Sequence, residues 1–256
     1  MKKLKLYNLL ISRGFFSSED DAKRHIMAGK VLVDDRVIDQ PGTLCLVSSP
    51  IRIKEKKSTF VSRGGDKLAG FLDAISLDIR NRCAVDVGIS TGGFSDALLS
   101  RDAQHVLGID VGYGILDYKL RNHPRLSLLE RTNAREVTAA AINRALAPHQ
   151  MHCNAVSLVV MDVSFISVFA IIPNLLSLFN ATTDYIILIK PQFESKKHSI
   201  GAGGIIRDPD HLSETLRTVE ASFASHGLAI VSTAPSLLRG TKGNQEYFYW
   251  VRLSED

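Results

Sequence analysis

Cysteine is scarce in this chain of 256 residues, and its sequence contains no motif of metal ligands. The three cysteines, Cys45, Cys83 and Cys153, are widely scattered and have no paired spacing. Such usage argues against a zinc site or a disulfide framework and is typical of a protein in the reducing cytoplasm. The histidines also lack the spacing of metal ligands. We therefore expect a cytoplasmic protein that binds no metal.

The sequence also lacks a clear signal peptide and a clear membrane span. It begins with Met-Lys-Lys-Leu-Lys, as a signal peptide can, but Tyr7 and Arg13 fall where the apolar core would lie. Residues 163–179 carry no charge, and this length approaches that of a membrane-spanning helix. Pro173 and Asn174 interrupt the segment, which favours the end of a buried strand followed by a core helix. A membrane span is the alternative, and we expect no membrane contact.

Positive charge is concentrated at the front of the chain. Residues 1–67 contain 14 lysines and arginines against 8 acidic residues, whereas residues 68–256 contain 17 against 19. A basic front end on a nearly neutral body is the expected footprint of phosphate binding. The alternative is an ordinary solvated surface, and charge alone does not separate the two interpretations.

The first fifty residues are predicted to form two short helices and a hairpin. An apolar stripe from Leu4 to Ile11 predicts a helix that ends near Gly14. A second helix begins after Ser17 or Ser18, has three acidic residues in its first turn, and stops at Gly29. The apolar residues that follow predict short strands at residues 30–33, 36–38 and 51–53.

This arrangement resembles the αL RNA-binding module, which was first known from a ribosomal small-subunit protein. The resemblance implies that the second helix and the turn after it present basic groups to folded RNA. The predicted domains are an RNA-binding domain at residues 1–53, a linker at 54–61 and a larger domain at 62–256. The phosphate contacts that the resemblance implies are Arg13, Lys23, Arg24 and Lys30.

From residue 63 onward, helices alternate with short apolar strands. Such alternation predicts parallel strands joined by crossover helices. The last two strands are separated by a glycine-rich loop too short for a helix, so we expect them to pair antiparallel at the sheet edge. The predicted fold class is α/β, a Rossmann-like class I methyltransferase sheet with a small α+β domain in front. The predicted strands are residues 83–87, 105–109, 126–129, 158–161, 185–189, 229–233 and 247–252.

A glycine-rich turn follows the first of these strands. Gly88 allows the backbone to turn tightly, and Gly92-Gly93 lets a ligand approach without a Cβ atom in the way. Asp110 ends the next strand, where a carboxylate can accept hydrogen bonds from both ribose hydroxyls of an adenosine-containing ligand. The loop lacks the strict dinucleotide fingerprint, and no Walker lysine follows it. It therefore favours S-adenosylmethionine over NAD as the cofactor.

Polar residues also stand at the ends of two later strands and at two other element boundaries. Asp162 follows the fourth predicted strand, and Lys190 follows the fifth. Because ligands of an open α/β sheet bind at the carboxyl ends of the strands, Asp162 and Lys190 should converge beside the cofactor. Residues 62–67 open the larger domain, and residues 243–246 lead into its last strand.

Taken together, these motifs resemble the TlyA family, historically labelled haemolysins, whose catalytic domain is of the FtsJ type. The resemblance extends over nearly the whole chain and includes residues 110–114, 130–135 and 203–208. It implies methylation of ribose 2′-hydroxyls on cytidines of ribosomal RNA, with ribosomal subunits as partners. It also implies a catalytic tetrad, which falls on Lys67, Asp162, Lys190 and Glu246.

The chemistry of ribose methylation explains why such a tetrad would be needed. A ribose hydroxyl is a poor nucleophile until its proton is removed or strongly polarised, whereas a sulfonium methyl group is already activated. We expect Lys190 to act on the hydroxyl and Asp162 to orient Lys190. We expect Glu246 to position Lys67 or the substrate ribose.

The same resemblance implies a set of cofactor contacts. Two of them have structural alternatives, because Phe94 could belong to the core and Asn133 to a turn. The loop at residues 195–204 is glycine-rich and basic, and it either closes over RNA or is a connector. The implied cofactor contacts are Gly88, Ser90, Thr91, Gly92, Gly93, Phe94, Asp110 and Asn133.

Two functions from other classes compete with an enzyme. The first is a ribosome-binding protein whose methyltransferase domain is inactive, and the complete tetrad and glycine-rich loop argue against it. The second is a membrane-active haemolysin, which only the historical label of the family suggests. The apolar segment at residues 163–179 is typical of a protein core, so the sequence favours the enzyme.

Overall fold

The structure is a computed structural model, and it describes residues 2–53, 58–195, 204–240 and 242–254. The chain divides into two compact units, Met1–Lys57 and Ser58–Asp256. Residues 54–57 of the predicted linker lie outside the described residues. The end of that linker contacts the larger unit, because the backbone N–H of Val61 donates to Asp96 at 2.8 Å. Residues 196–203, most of the predicted basic loop, also lie outside the described residues.

In residues 2–53, the described part of the smaller unit, two helices and five short strands surround an apolar core. Its elements are β1 (Lys3–Lys5), α1 (Leu6–Ser12), α2 (Glu19–Met27), β2 (Val31–Val33), β3 (Arg36–Ile38), β4 (Leu44–Leu46) and β5 (Ile51–Ile53). Ser18 caps α2 by accepting a hydrogen bond from the backbone N–H of Asp21. The hairpin turns at Asp34 and Asp35, whose φ values of 50° and 60° suit a tight turn between twisted strands.

The first helix begins later than its apolar stripe predicts. Leu4 lies in β1, which pairs antiparallel with β4, and α1 begins at Leu6. The prediction that the helix includes Leu4 is therefore wrong, and neither β1 nor β4 is predicted from the sequence. The run Lys3-Leu4-Lys5-Leu6 alternates with the period of a strand. It is too short, however, to be distinguished from the start of a helical stripe.

The larger unit is built on a sheet with seven strands among the described residues. Its strands are β6 (Cys83–Val87), β7 (His105–Ile109), β8 (Leu126–Leu129), β9 (Val156–Met161), β10 (Asp184–Ile189), β11 (Leu228–Pro235) and β12 (Tyr247–Leu253). The strand order is β11-β12-β10-β9-β6-β7-β8. All neighbours run parallel except β12, which is antiparallel to both β10 and β11. The predicted fold class is confirmed, and every predicted strand of this sheet is found.

Helices pack on both faces of the sheet and create two apolar cores. The helices are α3 (Arg63–Ala74), α4 (Gly93–Leu99), α5 (Tyr118–Arg121), α6 (Ala139–Leu146), α7 (Ile172–Leu178), α8 (Pro191–Glu194) and α9 (Pro209–Ser225). Successive residues of a buried strand point to opposite faces of the sheet and so pack into different cores. In β10, Ile187 packs with α6, α7 and α9, whereas Ile186 packs with α3 and α4.

The uncharged segment at residues 163–179 belongs to this packing. It contains a short 3₁₀ helix, Val168–Ala170, followed by α7, whose Ile172 and Leu175 are buried in one of the two cores. Within the described ranges, the structure has no helix of the length and apolarity that a membrane crossing requires. The predicted core helix is found, but β9 ends at Met161, so the segment begins with a loop and not with the end of a strand.

The direction of strand addition reverses beside β6. The chain continues from β6 to β7 and β8 on one side, and it then returns to add β9 and β10 on the other side. In open α/β sheets a crevice forms at such a reversal, beyond the carboxyl ends of the strands. The topology therefore places a ligand site beyond the ends of β6 and β9.

The opposite end of the sheet is held by a buried carboxylate, Asp184, of which only 1% is exposed. Asp184 accepts hydrogen bonds from the Arg82 guanidinium at 2.6 Å, the Trp250 indole N–H at 2.7 Å and the Arg252 guanidinium at 2.5 Å. Burial opposes ionisation of Asp184, but the hydrogen bonds from Arg252, Trp250 and Arg82 outweigh it and lower the pKa of the carboxyl. This contact joins β10 to β12 and to the residue before β6.

We predict that Asp184→Asn lowers the free energy of unfolding by roughly 3 kcal/mol at neutral pH, because it leaves Arg82 without its buried counterion. The native pKa of Asp184 lies below its unfolded value. Its carboxylate therefore stabilises the fold above the unfolded pKa, and this stabilisation is lost as the pH falls through the native pKa. We expect the free energies of unfolding of the wild type and the variant, measured with urea from neutral pH to about pH 3, to converge as the pH falls below about 4.

The control is Asp78→Asn, because Asp78 forms an exposed ion pair with Arg80. Exposed pairs contribute little to stability, so this variant should unfold nearly as the wild type does. A difference between wild type and Asp184→Asn that stays constant with pH would contradict the assigned role of the charge.

Candidate active site

A cleft of about 810 Å³ opens at the carboxyl ends of β6, β9 and β10. Four separate parts of the chain supply the two lysines and two carboxylates of the predicted tetrad: α3, the loop after β9, the residue after β10 and the loop before β12. The structure brings all four residues of the predicted tetrad to this cleft, and their catalytic roles remain predictions. These residues are Lys67, Asp162, Lys190 and Glu246.

The first ion pair of the cleft is formed by Lys67 and Glu246. The Lys67 ammonium lies 2.6 Å from Oε2 of Glu246, and the two side chains are 11% and 3% exposed. A Cβ atom on Gly240 would lie 2.4 Å from Oε1 of Glu246, so the glycine lets the loop close over the carboxylate. A pair this deeply buried is stable only because each charge compensates the other.

The second ion pair is formed by Lys190 and Asp162. The Lys190 ammonium lies 2.6 Å from Oδ1 of Asp162, and it also donates a hydrogen bond to the Ser164 hydroxyl at 2.7 Å. Asp162 and Ser164 both belong to the segment after β9, whereas Lys190 follows β10. The predicted orientation of Lys190 by Asp162 agrees with this contact.

The glycine-rich turn after β6 forms the floor of the cleft. Gly88 has a φ of 82°, and a Cβ atom there would lie 2.7 Å from the backbone oxygen of Asp162. Asp110 holds the turn from the next strand: its carboxylate accepts hydrogen bonds from the backbone N–H groups of Ser90 at 2.8 Å and Gly112 at 2.7 Å. The turn therefore packs directly against the segment that carries Asp162.

Asp86, which precedes Gly88, is a buried carboxylate that also lines the cleft. Burial raises the pKa of Asp86 to about 7, and the nearby charges of Asp162 and Asp110 add to this effect. Hydrogen bonds from the backbone N–H and hydroxyl of Ser95 to Oδ2 oppose it. Oδ1 has no hydrogen-bond partner among the described residues.

A second hollow of about 280 Å³ lies beside the cleft and shares Gly88, Ser90 and Asp162 with it. Asp110 and Asn133 line this hollow. Asn133 also closes a local turn, because its side-chain oxygen accepts a hydrogen bond from the backbone N–H of Arg135. The turn that the sequence offers as an alternative role for Asn133 is therefore present.

The remaining predicted cofactor contacts differ in where they lie. Thr91, Gly93 and Phe94 line the larger cleft, but Phe94 is also a core residue, with its ring 5.9 Å from that of Phe248. Gly92 lines neither space: a Cβ atom there would meet Leu120 at 2.4 Å. Gly92 packs so closely against α5 that there is no room for a side chain, which explains the glycine at this position.

Two aromatic residues at the cleft were given no role by the sequence. Phe165 lines the cleft and is 90% exposed, and its ring lies 5.3 Å from that of Phe193, which lines the cleft as well. The backbone of Phe165 has a φ of 68°, a conformation that residues other than glycine rarely adopt. In the sequence, only the positions of these two residues indicate a place at the cleft, since each closely follows the end of a buried strand.

Arg13, Lys23 and Arg24, three of the predicted RNA contacts of the smaller unit, have partners for their side chains within that unit. Arg13 donates hydrogen bonds to the backbone oxygens of Ser49 and Val47, so it holds the end of α1 to the loop before β5. Lys23 pairs with Glu19, and Arg24 pairs with Asp21. Lys30 is half-buried just before β2. Contact of any of the four with phosphate remains a prediction.

Over the described ranges, no group of three or more histidine, cysteine, aspartate or glutamate side chains is placed to bind a metal ion.

The class of the protein follows from these features. A mostly parallel sheet that ends in an antiparallel strand pair, with a glycine-rich turn after its first strand and an acidic residue after its second, defines a Rossmann-like methyltransferase. Residues 60–253 match the family of FtsJ-like methyltransferases. The chain belongs to the TlyA family of these FtsJ-like methyltransferases, as the sequence motifs predict.

Relatives match the chain over nearly its whole length. A Mycobacterium tuberculosis protein named 16S/23S rRNA (cytidine-2′-O)-methyltransferase TlyA is 38% identical over 248 residues, which cover 96% of this chain and 89% of that protein. Hemolysin A of Brachyspira hyodysenteriae is 32% identical over 244 residues, 95% of this chain and 98% of that protein. A hemolysin-named solved structure from Streptococcus thermophilus has a TM-score of 0.74 at 31% identity, covering 100% of this chain and 90% of that chain.

We predict that Gly88→Ala weakens binding of S-adenosylmethionine by roughly tenfold or more, since the new Cβ atom would displace the Asp162 backbone from the cleft. Isothermal titration calorimetry measures the affinity. The control is Gly227→Ala, because Gly227 also has a positive φ, 70°, but a Cβ atom there meets nothing within 4 Å. The control shares the backbone strain and should bind within about twofold of wild type. Equal losses in both variants would mean that strain, and not the contact with Asp162, weakens binding.

Proposed function

We propose that this protein uses S-adenosylmethionine to methylate ribose 2′-hydroxyls on cytidines of ribosomal RNA. The observation that carries the proposal is the presence of two lysine–carboxylate pairs, Lys67–Glu246 and Lys190–Asp162, on one cleft beside a glycine-rich turn. The names of relatives support it. The Mycobacterium tuberculosis relative is named for cytidine 2′-O-methylation of 16S and 23S ribosomal RNA. A Campylobacter jejuni relative, 29% identical over 206 residues, is named for the same reaction on 23S ribosomal RNA.

The residues around the glycine-rich turn fit S-adenosylmethionine. The cofactor supplies an activated methyl group on its sulfonium. Asp110 stands at the end of β7, where its oxygens can also accept from ribose hydroxyls. The unpartnered Oδ1 of Asp86 is a buried acceptor that suits an ammonium group. The proposed contacts are Gly88, Ser90, Thr91, Gly93, Phe94, Asp110 and Asn133, with Gly92 supporting the turn from behind.

Lys190 is the residue that we propose to act on the 2′-hydroxyl. The Lys190 ammonium first releases a proton to solvent, and the Nζ lone pair then accepts the hydroxyl proton as the ribose oxygen becomes nucleophilic. The ammonium that results is stabilised by Asp162, whose carboxylate lies 2.6 Å away. The Ser164 hydroxyl accepts a second hydrogen bond from the same Nζ and fixes its direction. Lys67, held by Glu246, places a further positive charge at the cleft.

Phe165 offers a surface for the nucleobase of the target nucleotide. Single-stranded or splayed bases stack on exposed aromatic side chains, and Phe165 is 90% exposed beside Phe193 at this cleft. A base stacked there would be held next to the ribose on which Lys190 acts. The aromatic pair therefore supports a nucleotide, rather than a small molecule, as the substrate.

The smaller unit is proposed to bind RNA. We assign an RNA-binding domain to residues 1–53, a linker to 54–61 and the methyltransferase domain to 62–256. The excess of basic residues in the front part of the chain supports this assignment. Lys23, Arg24 and Lys30 lie on or directly after α2 and are the proposed phosphate contacts, whereas Arg13 mainly supports the loop before β5. A ribosomal RNA substrate implies a cytoplasmic location.

We predict that Lys190→Ala lowers methyl transfer to ribosomal RNA by at least about a hundredfold, because the hydroxyl loses its proton acceptor. The assay uses radiolabelled S-adenosylmethionine with purified ribosomal subunits and with naked ribosomal RNA. Label that blocks alkaline cleavage and is recovered in cytidine after digestion to nucleosides identifies the product. Lys119→Ala, an exposed lysine on α5, is the control. If the wild type binds the cofactor but labels no RNA, the proposed substrate is wrong.

We also predict that the double variant Lys23→Gln, Lys30→Gln binds ribosomal RNA more weakly, because two phosphate contacts are lost. The slope of log affinity against log salt concentration should fall by roughly 1 for each contact. Filter binding at several salt concentrations gives both quantities. Lys5→Gln is the control in the same unit, since Lys5 is exposed but is not a predicted contact. An unchanged slope in the double variant would refute the assignment.

A further inference from the structure

The segment that joins β9 to the 3₁₀ helix carries three residues of the cleft, and one of them, Phe165, has a strained backbone conformation. Asp162, Ser164 and Phe165 all lie in it and line the cleft. Phe165 has a φ of 68°, and its side chain is 90% exposed. A left-handed conformation of a non-glycine residue costs of order 1–3 kcal/mol and persists only where the surroundings impose it. The exposed Phe165 ring makes too little contact to impose it.

Two side chains from one short stretch hold this segment on either side of Phe165. Before Phe165, Ser164 accepts a hydrogen bond from the Lys190 ammonium at 2.7 Å. After Phe165, Glu194 accepts hydrogen bonds from the Ser167 hydroxyl at 2.6 Å and from the backbone N–H of Val168 at 3.0 Å. Lys190 precedes α8, and Glu194 ends it. The four residues of α8 therefore set the spacing between the two points of attachment.

Glu194 is suited to a fixed contact rather than to a solvent-exposed role. Its carboxyl group is largely withdrawn from water, which raises its pKa, while the hydrogen bonds from Ser167 and Val168 favour the ionised form. Both carboxylate oxygens are used, one for each donor. The backbone N–H of Val168 is one of the free donors at the start of the 3₁₀ helix, so the contact also fixes where that helix begins.

We infer that Glu194 is a positioning residue of the active site, which holds the segment of residues 162–168 so that Asp162, Ser164 and Phe165 keep their places relative to Lys190. Glu194 touches neither the reacting ribose nor the cofactor in this role, and it acts through the segment that it holds. The inference rests on the proposed function, since it assigns a supporting residue to the same reaction.

The test compares Glu194→Ala with Glu194→Gln and Ser195→Ala in single-turnover methylation of ribosomal RNA. Glu194→Ala removes both contacts and should lower the rate of methyl transfer by roughly ten- to a hundredfold, because small displacements of reacting groups have effects of this size. Glu194→Gln can still accept from Val168 and donate to Ser167, so it should recover the rate to within about threefold of wild type. Affinity for S-adenosylmethionine should stay within about twofold in Glu194→Gln and Ser195→Ala, and the rates are compared at saturating cofactor so that weaker binding by Glu194→Ala does not enter the result.

Ser195→Ala is the matched control. The Ser195 hydroxyl also makes two hydrogen bonds, to the backbone oxygen of Pro191 and to Thr215, but neither reaches the 162–168 segment. It should lower thermal stability more than it lowers the transfer rate. Ser167→Ala removes one of the two Glu194 contacts with less disturbance and should give a smaller loss of rate in the same direction. This variant keeps the test decisive if Glu194→Ala does not fold.

The outcomes separate the two proposals. If the wild type transfers no methyl group to RNA, the proposed function fails. If the wild type is active and Glu194→Ala loses no more rate than Ser195→Ala, the positioning role of Glu194 is overturned. A second readout is the double variant Glu194→Ala, Phe165→Ala. Its loss of rate should be smaller than the product of the two single losses, because Glu194 acts partly through Phe165. If the loss of rate in the double variant equals the product of the two single losses, that coupling is contradicted.

Discussion

Opposite charges must compensate each other when ionisable side chains are largely buried beside a cleft, and the larger unit is organised around this constraint. Lys67 with Glu246 and Lys190 with Asp162 form two such pairs. Removing one member of a buried pair typically costs about 3–5 kcal/mol, because the other charge is left uncompensated. The pairs can form only when α3, the ends of β9 and β10 and the loop before β12 meet. The cleft is thus a property of the whole sheet.

Close approach of backbones makes these meetings possible. A Cβ atom on Gly93 would lie 2.8 Å from the backbone nitrogen of Gly65, so two glycines let the start of α3 rest directly on the start of α4. This contact brings Lys67, two residues after Gly65, within reach of Glu246. Gly240 has the same effect on the other side of the pair, where a side chain would collide with the carboxylate. These glycines therefore allow the charged side chains to pair, in addition to giving a ligand access to the cleft.

Much of the fold was predictable because the central strands of the larger sheet, β6, β7, β9 and β10, are buried on both faces. Such strands are continuous apolar runs that end at glycine, aspartate or lysine, so their positions and their carboxyl ends can be read from the sequence. The same reasoning predicts that Asp162 and Lys190 converge. It fails for β1 and β4, whose three residues each give too little periodicity.

The contacts that support the site were less predictable than the site itself. Nothing local in the sequence indicates that Glu194 reaches Ser167, 27 residues earlier, because that contact depends on how two strand ends are spaced in the sheet. The left-handed backbone of Phe165 is equally hidden, since a phenylalanine predicts the opposite conformation. The reactive groups lie at strand ends that the sequence indicates, whereas the side chains that hold them in place are determined by tertiary packing.

Two buried aspartates show how the sheet separates stability from chemistry. Asp184 and Asp86 are each 1% exposed. At the start of β10, Asp184 meets donors from Arg82, Trp250 and Arg252, which together lower its pKa and join β10 to β12 and to the residue before β6. Near the end of β6, Asp86 accepts hydrogen bonds from Ser95, and burial raises its pKa to about 7. Since a buried carboxylate with an unused oxygen destabilises the fold, the end of the sheet that holds Asp184 has to supply the compensating stability. The carboxyl end can then keep acceptors and paired ammonium groups available for a ligand.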